Sequence, residues 1–377
     1  MHLRTRILLI GLALAASLGC RPPQAAVTPA AGLNPSPRQQ MAALAFISYL
    51  GETVTGSDDE VEAKLYPCLE KELAKQPITQ GRWALAWGPA VYKFAGADLD
   101  DNMMYVVRDP KNAGHLAIVV RGTNGKAILD WLVEDFDVDD QVSWEYGNPP
   151  SGAKISKGTS EGLKILQTMT PASGPVPNQT LGQFLASQMA SNSELQIDVV
   201  GHSLGGALSP TLALWLAETQ PTWDPAGKSE IAVYALAGPT AGNAEFAAYS
   251  DSRIGAGTDR MHNPYDVVPL AWNDQSLATM AGLYEPSIRA DAVERGLLDG
   301  LRDLVKDKGY TQIKPSEPPL PGVLNPGVST FADEAGWQHD CGYRCALGLV
   351  GSSFLPVTDN CRTDPKPACT VCPKSES

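Results

Sequence analysis

One short stretch limits the possible folds of this chain more than any other, the pentapeptide GHSLG at residues 201–205. It follows the run LQIDVV at 195–200, which is typical of a buried strand, and it opens an apolar helical run at 205–218. A strand that turns at once into a helix needs glycine around the turn, because a side chain there would meet the facing backbone. The turn exposes Ser203 beside a helix N-terminus, where an anion is stabilised. The pattern predicts a nucleophilic serine, with a buried structural serine as the alternative.

Strands and helices are expected to alternate around this turn. Strand-like runs occupy Trp83–Phe94, Met103–Asp109, His115–Arg121, Leu195–Val200, Glu230–Leu236 and Asp259–His262, and helix-like runs occupy Gln39–Leu50, Asp58–Ala74, Gly205–Glu218 and Ser287–Asp307. This alternation predicts an α/β fold with a mainly parallel sheet covered by helices on both faces.

A serine nucleophile needs a base beside it, and the base needs an acid that orients it. In folds that place the serine between a strand and a helix, the chain order is serine, acid, histidine. Two histidines follow Ser203, namely His262 and His339. Asp266 lies between them, where a predicted strand breaks into a loop. Chain order therefore predicts Asp266 as the acid and His339 as the base, and His262 is expected to be structural.

Several motifs recur together in one order along the chain. They are RGT at 121–123, DWL at 130–132, GHSLGG at 201–206, YALAGPTAGN at 234–243, DVVP at 266–269 and the spacing His339-x-x-x-Tyr343. Between about Trp83 and Leu347 the chain thereby resembles the class 3 lipases, the fungal-lipase-like branch of the α/β hydrolases. The resemblance implies an α/β-hydrolase fold with a mostly parallel central sheet flanked by helices.

The resemblance also implies how an oxyanion would be bound. The backbone N–H groups of Thr123 and Leu204 would be the two donors, and the segment after Thr123 would be a mobile lid. The stretch Ala127–Phe136 has the apolar and charged residues of an amphipathic lid, although an ordinary surface helix is the alternative. The chain departs from the family in the long interval between Asp266 and His339 and in its cysteine-dense end, which leaves the substrate preference open.

The activity implied is that of a serine carboxylester hydrolase, in the first place a lipase that cleaves acylglycerol esters at a lipid–water interface. A phospholipase A1, or an esterase for short or aromatic esters, would use the same residues. A non-catalytic envelope lipoprotein with this fold is the remote alternative. No cofactor or metal is expected, since the acidic stretch at 135–140 lacks the spacing and glycine of an EF-hand.

The N-terminal residues have the features of an export signal. Two arginines precede a short apolar run that ends in Gly-Cys at Cys20, and such a run is too short to span a bilayer, which needs about 20 apolar residues. We expect a signal peptide at 1–20, a proline-rich tether at 21–37 and a single α/β-hydrolase domain at 38–377. A lipidated Cys20 would anchor the chain in a bacterial cell envelope, and a periplasmic or secreted protein is the alternative.

Cysteine usage and charge complete the expectations. Besides Cys20 the chain has six cysteines, an even number that predicts three disulfides with open pairing and a disulfide-rich C-terminal extension at 341–372. The net charge is −13, without a basic block, so nucleic acid is not an expected partner.

Overall fold

Two β-sheets and the helices packed around them form the described part of the molecule, a computed structural model. It describes residues 34–79, 81–95, 97, 102–123, 137–350, 369, 372 and 373. The strands are β1 (Ala84–Tyr92), β2 (Asn102–Asp109), β3 (Asn112–Val120), β4 (Gln141–Ser143), β5 (Lys154–Ser156), β6 (Gln196–His202), β7 (Glu230–Leu236), β8 (Gly242–Asn243), β9 (Thr258–Met261) and β10 (Tyr310–Thr311).

The helices lie before, between and after these strands. They are α1 (Pro37–Ile47), α2 (Asp58–Lys75), α3 (Lys157–Thr168), α4 (Leu181–Met189), α5 (Leu204–Glu218), α6 (Gln220–Trp223), α7 (Ala244–Ile254), α8 (Asp274–Met280), α9 (Ala292–Val305), α10 (Phe331–Trp337) and α11 (Tyr343–Ala346). Short 3₁₀ segments occupy Gly255–Gly257 and Val268–Leu270, and one π-helical turn occupies Gln338–Gly342.

The larger sheet has the strand order β1-β2-β3-β6-β7-β9. Its first three strands are antiparallel, whereas β3, β6, β7 and β9 are parallel. The register pairs Val120 with Gly201, and His202 with Leu236, so the carboxyl ends of three neighbouring strands meet at the predicted serine turn. The expected α/β-hydrolase architecture with a mostly parallel central sheet is confirmed. The carboxyl edge of such a sheet is where ligands usually bind.

Both faces of the larger sheet are covered, as expected. Along β3, Leu116, Ile118 and Val120 pack on the side of α3, α4 and α5, while Ala117 and Val119 pack on the side of α1 and α2. The alternation follows from the two-residue period of a strand. Since α1 and α5 lie on opposite faces of β6, the end of that strand is packed from both sides.

Helix ends differ from the expected bounds where a capping residue decides them. We expected the first helix to begin at Gln39, but it begins at Pro37 because Ser36 caps it and exchanges hydrogen bonds with Gln39. Similarly, α9 begins at Ala292, after the capping residue Asp291, rather than at Ser287. The small sheet β10-β8-β5-β4 has strands of two or three residues, too short for a visible alternation.

The long interval between Asp266 and His339 forms a cluster of its own. Helices α8, α9 and α10 pack there with Val267 and Val268, and the partly buried Leu204 packs against the same cluster. This long interval, called the insertion below, therefore lies directly beside the serine turn.

Disulfides hold the C-terminal part of the chain. Cys341 is bonded to Cys369 and Cys345 to Cys372, and Cys68 is disulfide-bonded as well. Disulfides persist in oxidising compartments, which assigns the chain to the exported proteins. Among the described residues, no helix combines the length and the apolarity needed to cross a membrane.

Candidate active site

The serine turn has a backbone conformation that L-residues rarely adopt. Ser203 has φ +62° and ψ −125°, between the last residue of β6 and the first of α5. Such strain costs about 1–3 kcal/mol and persists only where the surroundings impose it, typically at functional sites. The Ser203 side chain forms no capping hydrogen bond to the helix. The hydroxyl is therefore not used to cap α5.

Close backbone packing around the turn explains its glycines. A Cβ atom on Gly201 would lie 2.1 Å from the Gly205 oxygen, and one on Gly205 would lie 2.3 Å from the oxygen of Val120. A Cβ on Gly206 would lie 2.1 Å from the Leu236 oxygen. The predicted collisions at Gly201 and Gly205 are confirmed, and the doubled glycine of the motif has a steric reason of its own.

The predicted acid and base are in direct contact. His339 Nδ1 lies 2.9 Å from Oδ2 of Asp266, whose side chain is fully buried. The carboxylate also accepts hydrogen bonds from the Val268 N–H at 3.0 Å and from the Tyr343 hydroxyl at 2.9 Å. Because the carboxylate accepts the proton on Nδ1, Nε2 of a neutral His339 is the atom left to take a proton.

The two partners come from different elements. Asp266 follows β9 in the loop before a 3₁₀ segment, and His339 lies on the π-helical turn after α10. Asn263 joins these elements, since its Nδ2 donates to Oε1 of Gln338 at 2.6 Å. Gln338 in turn donates to Glu334 at 2.7 Å. A buried amide network thus fixes the residue that immediately precedes the predicted base.

Contacts of His202 join the serine turn to the predicted base. The rings of His202 and His339 lie 4.6 Å apart, and His202 Nε2 lies 2.8 Å from the backbone oxygen of His339. Since His202 is the chain neighbour of Ser203, the predicted serine and base lie at one place, at the carboxyl end of β6.

The predicted oxyanion residues lie at the same place. A Cβ atom on Gly122 would be 2.8 Å from Cβ of Ser203, so the turn that carries Thr123 abuts the serine. Leu204 is the first residue of α5, and the first N–H groups of a helix have no acceptor within it. The predicted lid, Ala127–Phe136, lies outside the described residues.

His262, the other histidine after Ser203, differs from His339 in its hydrogen bonding and its pKa. Its Nδ1 is buried without a hydrogen-bond partner among the described residues. Burial, together with the neighbouring Arg260, lowers the pKa of His262 to about 4, so its ring is neutral at ordinary pH. These properties agree with the structural role expected for it.

Three residues at the site were not assigned a role from the sequence. They are Tyr49, His202 and Tyr343. The four-residue spacing of His339 and Tyr343 places both on one helical face, so this spacing is a sequence signal for a role of Tyr343 beside His339. Tyr49 has no such signal, because it lies 153 residues from His202, whose ring it contacts.

A metal site finds little support in the described residues. The group of potential ligands found there is Asp340, Cys341 and Cys369. The two cysteines form a disulfide with each other, so neither offers a thiolate.

The sheet with its mixed strand order and the strained serine between β6 and α5 define an α/β hydrolase. The family model described as "Lipase (class 3)" matches residues 117–275. The crystal structure of M37 lipase is 37% identical in sequence and superposes with a TM-score of 0.78, covering 83% of this chain and 93% of that one. The chain belongs to the class 3 lipase family.

Two fungal proteins are more distant relatives. Lipases of Rhizopus niveus and Rhizopus oryzae are each 29% identical over 173 residues, which is 45% of this chain. The chain spans 38% of the length of these two lipases. The matched family segment includes Ser203 and Asp266 but ends before His339.

Proposed function

We propose that the chain is a serine carboxylester hydrolase that cleaves acylglycerol esters through an acyl-enzyme on Ser203. The observation that carries the proposal is the His339–Asp266 pair, 2.9 Å apart and buried, held against the strained turn of Ser203. A hydroxyl, a base with an oriented imidazole and a buried carboxylate are the three groups that nucleophilic acyl transfer requires.

In the proposed reaction, Nε2 of His339 takes the proton of the Ser203 hydroxyl as its oxygen attacks the ester carbonyl. The N–H groups of Thr123 and Leu204 hold the resulting oxyanion. When the intermediate collapses, the ester bond breaks and the alcohol leaves with the proton from His339. Asp266 stays ionised and stabilises the imidazolium that forms in between.

The second half-reaction repeats these steps with water. His339 takes a proton from water, whose oxygen attacks the acyl carbon. The bond to Ser203 breaks, Ser203 recovers its proton, and the carboxylic acid leaves. Removing one oxyanion donor in comparable enzymes costs about 10²–10³ in rate, so the donors contribute strongly to both halves.

The substrate class rests on the family and on the insertion beside the site. Proteins similar to this chain are named lipases. Leu204, next to the proposed nucleophile, packs against an apolar cluster that includes Val268. An apolar surface next to the reacting bond suits an acyl chain.

The test compares two serine variants on a nitrophenyl ester. We expect Ser203→Ala to fold normally and to lower kcat by roughly five to six orders of magnitude. Ser209→Ala is the matched control, because Ser209 lies in α5, is fully buried and has a hydroxyl oxygen without a hydrogen-bond partner among the described residues. It should keep its turnover. Undiminished hydrolysis by Ser203→Ala would disprove the assignment.

The acyl preference separates the lipase from its alternatives. We expect the rate to rise sharply when a long-chain acylglycerol is supplied as an emulsion instead of below its solubility limit. A maximum on short soluble esters would point to an esterase, and preferential release of one acyl chain from a phospholipid would point to a phospholipase A1.

We infer the following layout around the hydrolase domain. Residues 1–20 are a lipoprotein-type signal that is cleaved before Cys20, 21–37 are a tether and 38–377 form one domain with its disulfide-rich end at 341–372. Cys20 is the lipidated first residue of the mature chain, which anchors the enzyme in a cell envelope. Mass analysis of the mature N-terminus tests this, because a diacylglyceryl cysteine has a mass that an unmodified N-terminus lacks.

A further inference from the structure

The residue before the proposed nucleophile is held on both sides of its ring. His202 is buried, with 4% of its surface exposed. The Tyr49 hydroxyl lies 2.8 Å from Nδ1, and the backbone oxygen of His339 lies 2.8 Å from Nε2. Both ring nitrogens therefore have a partner at hydrogen-bond distance.

These partners define one tautomer. A carbonyl oxygen can only accept, so Nε2 of His202 carries a proton and donates it to His339. Burial, and to a lesser degree the neighbouring His339, lowers the pKa of His202 well below its usual value, so the ring is neutral. A neutral ring with a proton on Nε2 has a lone pair on Nδ1. Tyr49 then donates its hydroxyl to Nδ1 at 2.8 Å, which is the nearer of two acceptors, since the backbone oxygen of His202 lies 3.3 Å away.

Four aromatic rings and two charged groups lie close to His202. The rings of Phe46, Tyr49, His339 and Tyr343 lie between 4.6 and 5.9 Å from its own. The charged groups that act on it have opposite effects: Asp340 favours the protonated form and Arg344 disfavours it. The two charges therefore oppose each other, and burial decides the neutral state.

We propose that His202 is a positioning residue for His339, and that the Tyr49 hydroxyl stabilises the tautomer of His202 that donates to the His339 carbonyl. The inference rests on the proposed function, in which His339 is the base. Asp266 holds the ring of His339 through Nδ1, whereas His202 holds the main chain of the same residue. Two independent anchors restrict where Nε2 of His339 lies relative to Ser203.

The catalytic rate depends strongly on where the base lies relative to the nucleophile. A misplacement of 1 Å at a reacting group can cost about 10²-fold in rate. His202 is next to Ser203 in the chain. Its hydrogen bond to His339 therefore restricts the distance between the serine and the base. A loss of this bond should therefore lower kcat more than it raises KM.

Tyr49 extends this path to the N-terminal helices. It follows α1, which packs on the face of the sheet opposite to α5. Residues 117–275, which match the family model, do not include it. The N-terminal helical segment thus contributes to the proposed catalytic geometry as well as to the core.

The experiment uses the full chain and four variants. Tyr49→Phe removes the hydroxyl donor, His202→Phe removes both bonds but keeps a ring, and His202→Gln restores a donor near Nε2. Tyr105→Phe is the matched control, because the buried Tyr105 hydroxyl donates to the backbone oxygen of Leu44 in α1 at 2.7 Å. It removes a buried tyrosyl hydrogen bond beside the same N-terminal helix without touching the site.

We expect kcat to fall about 10-fold in Tyr49→Phe and about 100-fold in His202→Phe, with KM within about twofold. His202→Gln should recover part of the loss, and Tyr105→Phe should keep its kcat. Nitrogen-15 NMR of wild-type His202 should show a proton on Nε2, and Tyr49→Phe should shift part of the population to the other tautomer.

Three results would overturn the inference. They are a kcat of His202→Phe within about twofold of wild type, a proton on Nδ1 of wild-type His202, and equal effects of Tyr49→Phe and Tyr105→Phe on kcat. The NMR measurement does not depend on turnover. If Ser203→Ala hydrolyses esters as well as wild type, the proposed function fails, while the tautomer still tests the contact with Tyr49.

Discussion

The proposed nucleophile and the proposed base are held in place by different means. Ser203 sits where β6 passes into α5, and backbone packing against the ends of β3 and β7 fixes that turn. His339 sits on an irregular π-helical turn, fixed by hydrogen bonds to Asp266 and His202 and by nearby disulfides. The first position is built from the sheet itself, and the second from side chains that come from distant parts of the chain.

This difference indicates which property of the protein a substitution on each side should change. A change at the nucleophile acts through steric collision and should affect folding first. A change at the base acts through orientation and should affect turnover first.

Replacing the acid should damage the base side most. Asp266→Asn keeps the shape of the side chain but lets the amide donate to Nδ1, which favours the wrong tautomer of His339. We expect kcat to fall about 10⁴-fold. Steady-state kinetics on a soluble ester measures this.

The control for that experiment is another buried aspartate. Asp224 is fully buried and accepts hydrogen bonds from the Ser229 N–H and from Gln220, in a loop after α6. Asp224→Asn should lower the stability and keep kcat. If both variants lost turnover equally, Asp266 would act only as a buried structural carboxylate.

Removing a disulfide should loosen the base side while the serine side stays in place. Cys345 and Cys372 close a loop with a sequence separation of 27 residues. Because the Cys341–Cys369 disulfide still closes nearly the same loop, replacing both with alanine should lower the free energy of unfolding by only about 3 kcal/mol. Hydrogen exchange should accelerate in the π-helical turn and α11 but not in α5. Equal acceleration in α5 would contradict the proposed separation of the two sides.

A single added methyl group should disrupt the packing of the turn that carries Ser203. In Gly205→Ala the new Cβ would lie 2.3 Å from the Val120 oxygen, so strand and helix must move apart. We expect a loss of about 3 kcal/mol in the free energy of unfolding. Gly300→Ala in α9 is the control, since nothing lies within 4 Å of its added Cβ. It should stabilise the protein by about 0.5–1 kcal/mol, and thermal denaturation compares the two.

The same contrast explains how much was predictable from the sequence. The serine turn depends on neighbours in the chain, and its glycines and apolar flanks stand together in the printed sequence. The sheet, its two covered faces and the pairing of Asp266 with His339 followed from pattern and chain order. These features are local, or they are common to a fold.

The supports of the base follow no such rule. The π-helical turn, the disulfide partners and the contact of Tyr49 with His202 depend on segments that tertiary packing brings together. The short strands of the small sheet give no periodic pattern because each has two or three residues. Such features become visible only when the whole fold is known.

The smallest effect on the site is expected at Glu62, which belongs to neither side of it. This side chain of α2 is buried, with 2% exposed, and it accepts hydrogen bonds from the N–H groups of Val91 and Ala172. Burial raises the pKa of Glu62 to about 7 from an ordinary 4.5, although these bonds oppose the shift. Between these two values the native state therefore holds a proton that the unfolded state has released.

Stability should consequently fall as the pH rises from 4.5 towards 7, by at most about 1.4 kcal/mol per pH unit from this group. Glu62→Gln cannot release that proton, so its free energy of unfolding should fall less steeply across the same window. Chemical denaturation at a series of pH values measures both slopes. Parallel curves for the two proteins would mean that Glu62 titrates alike in the folded and unfolded chain. Since neither Ser203 nor His339 contacts this region, the pH dependence of kcat should keep its shape in the variant.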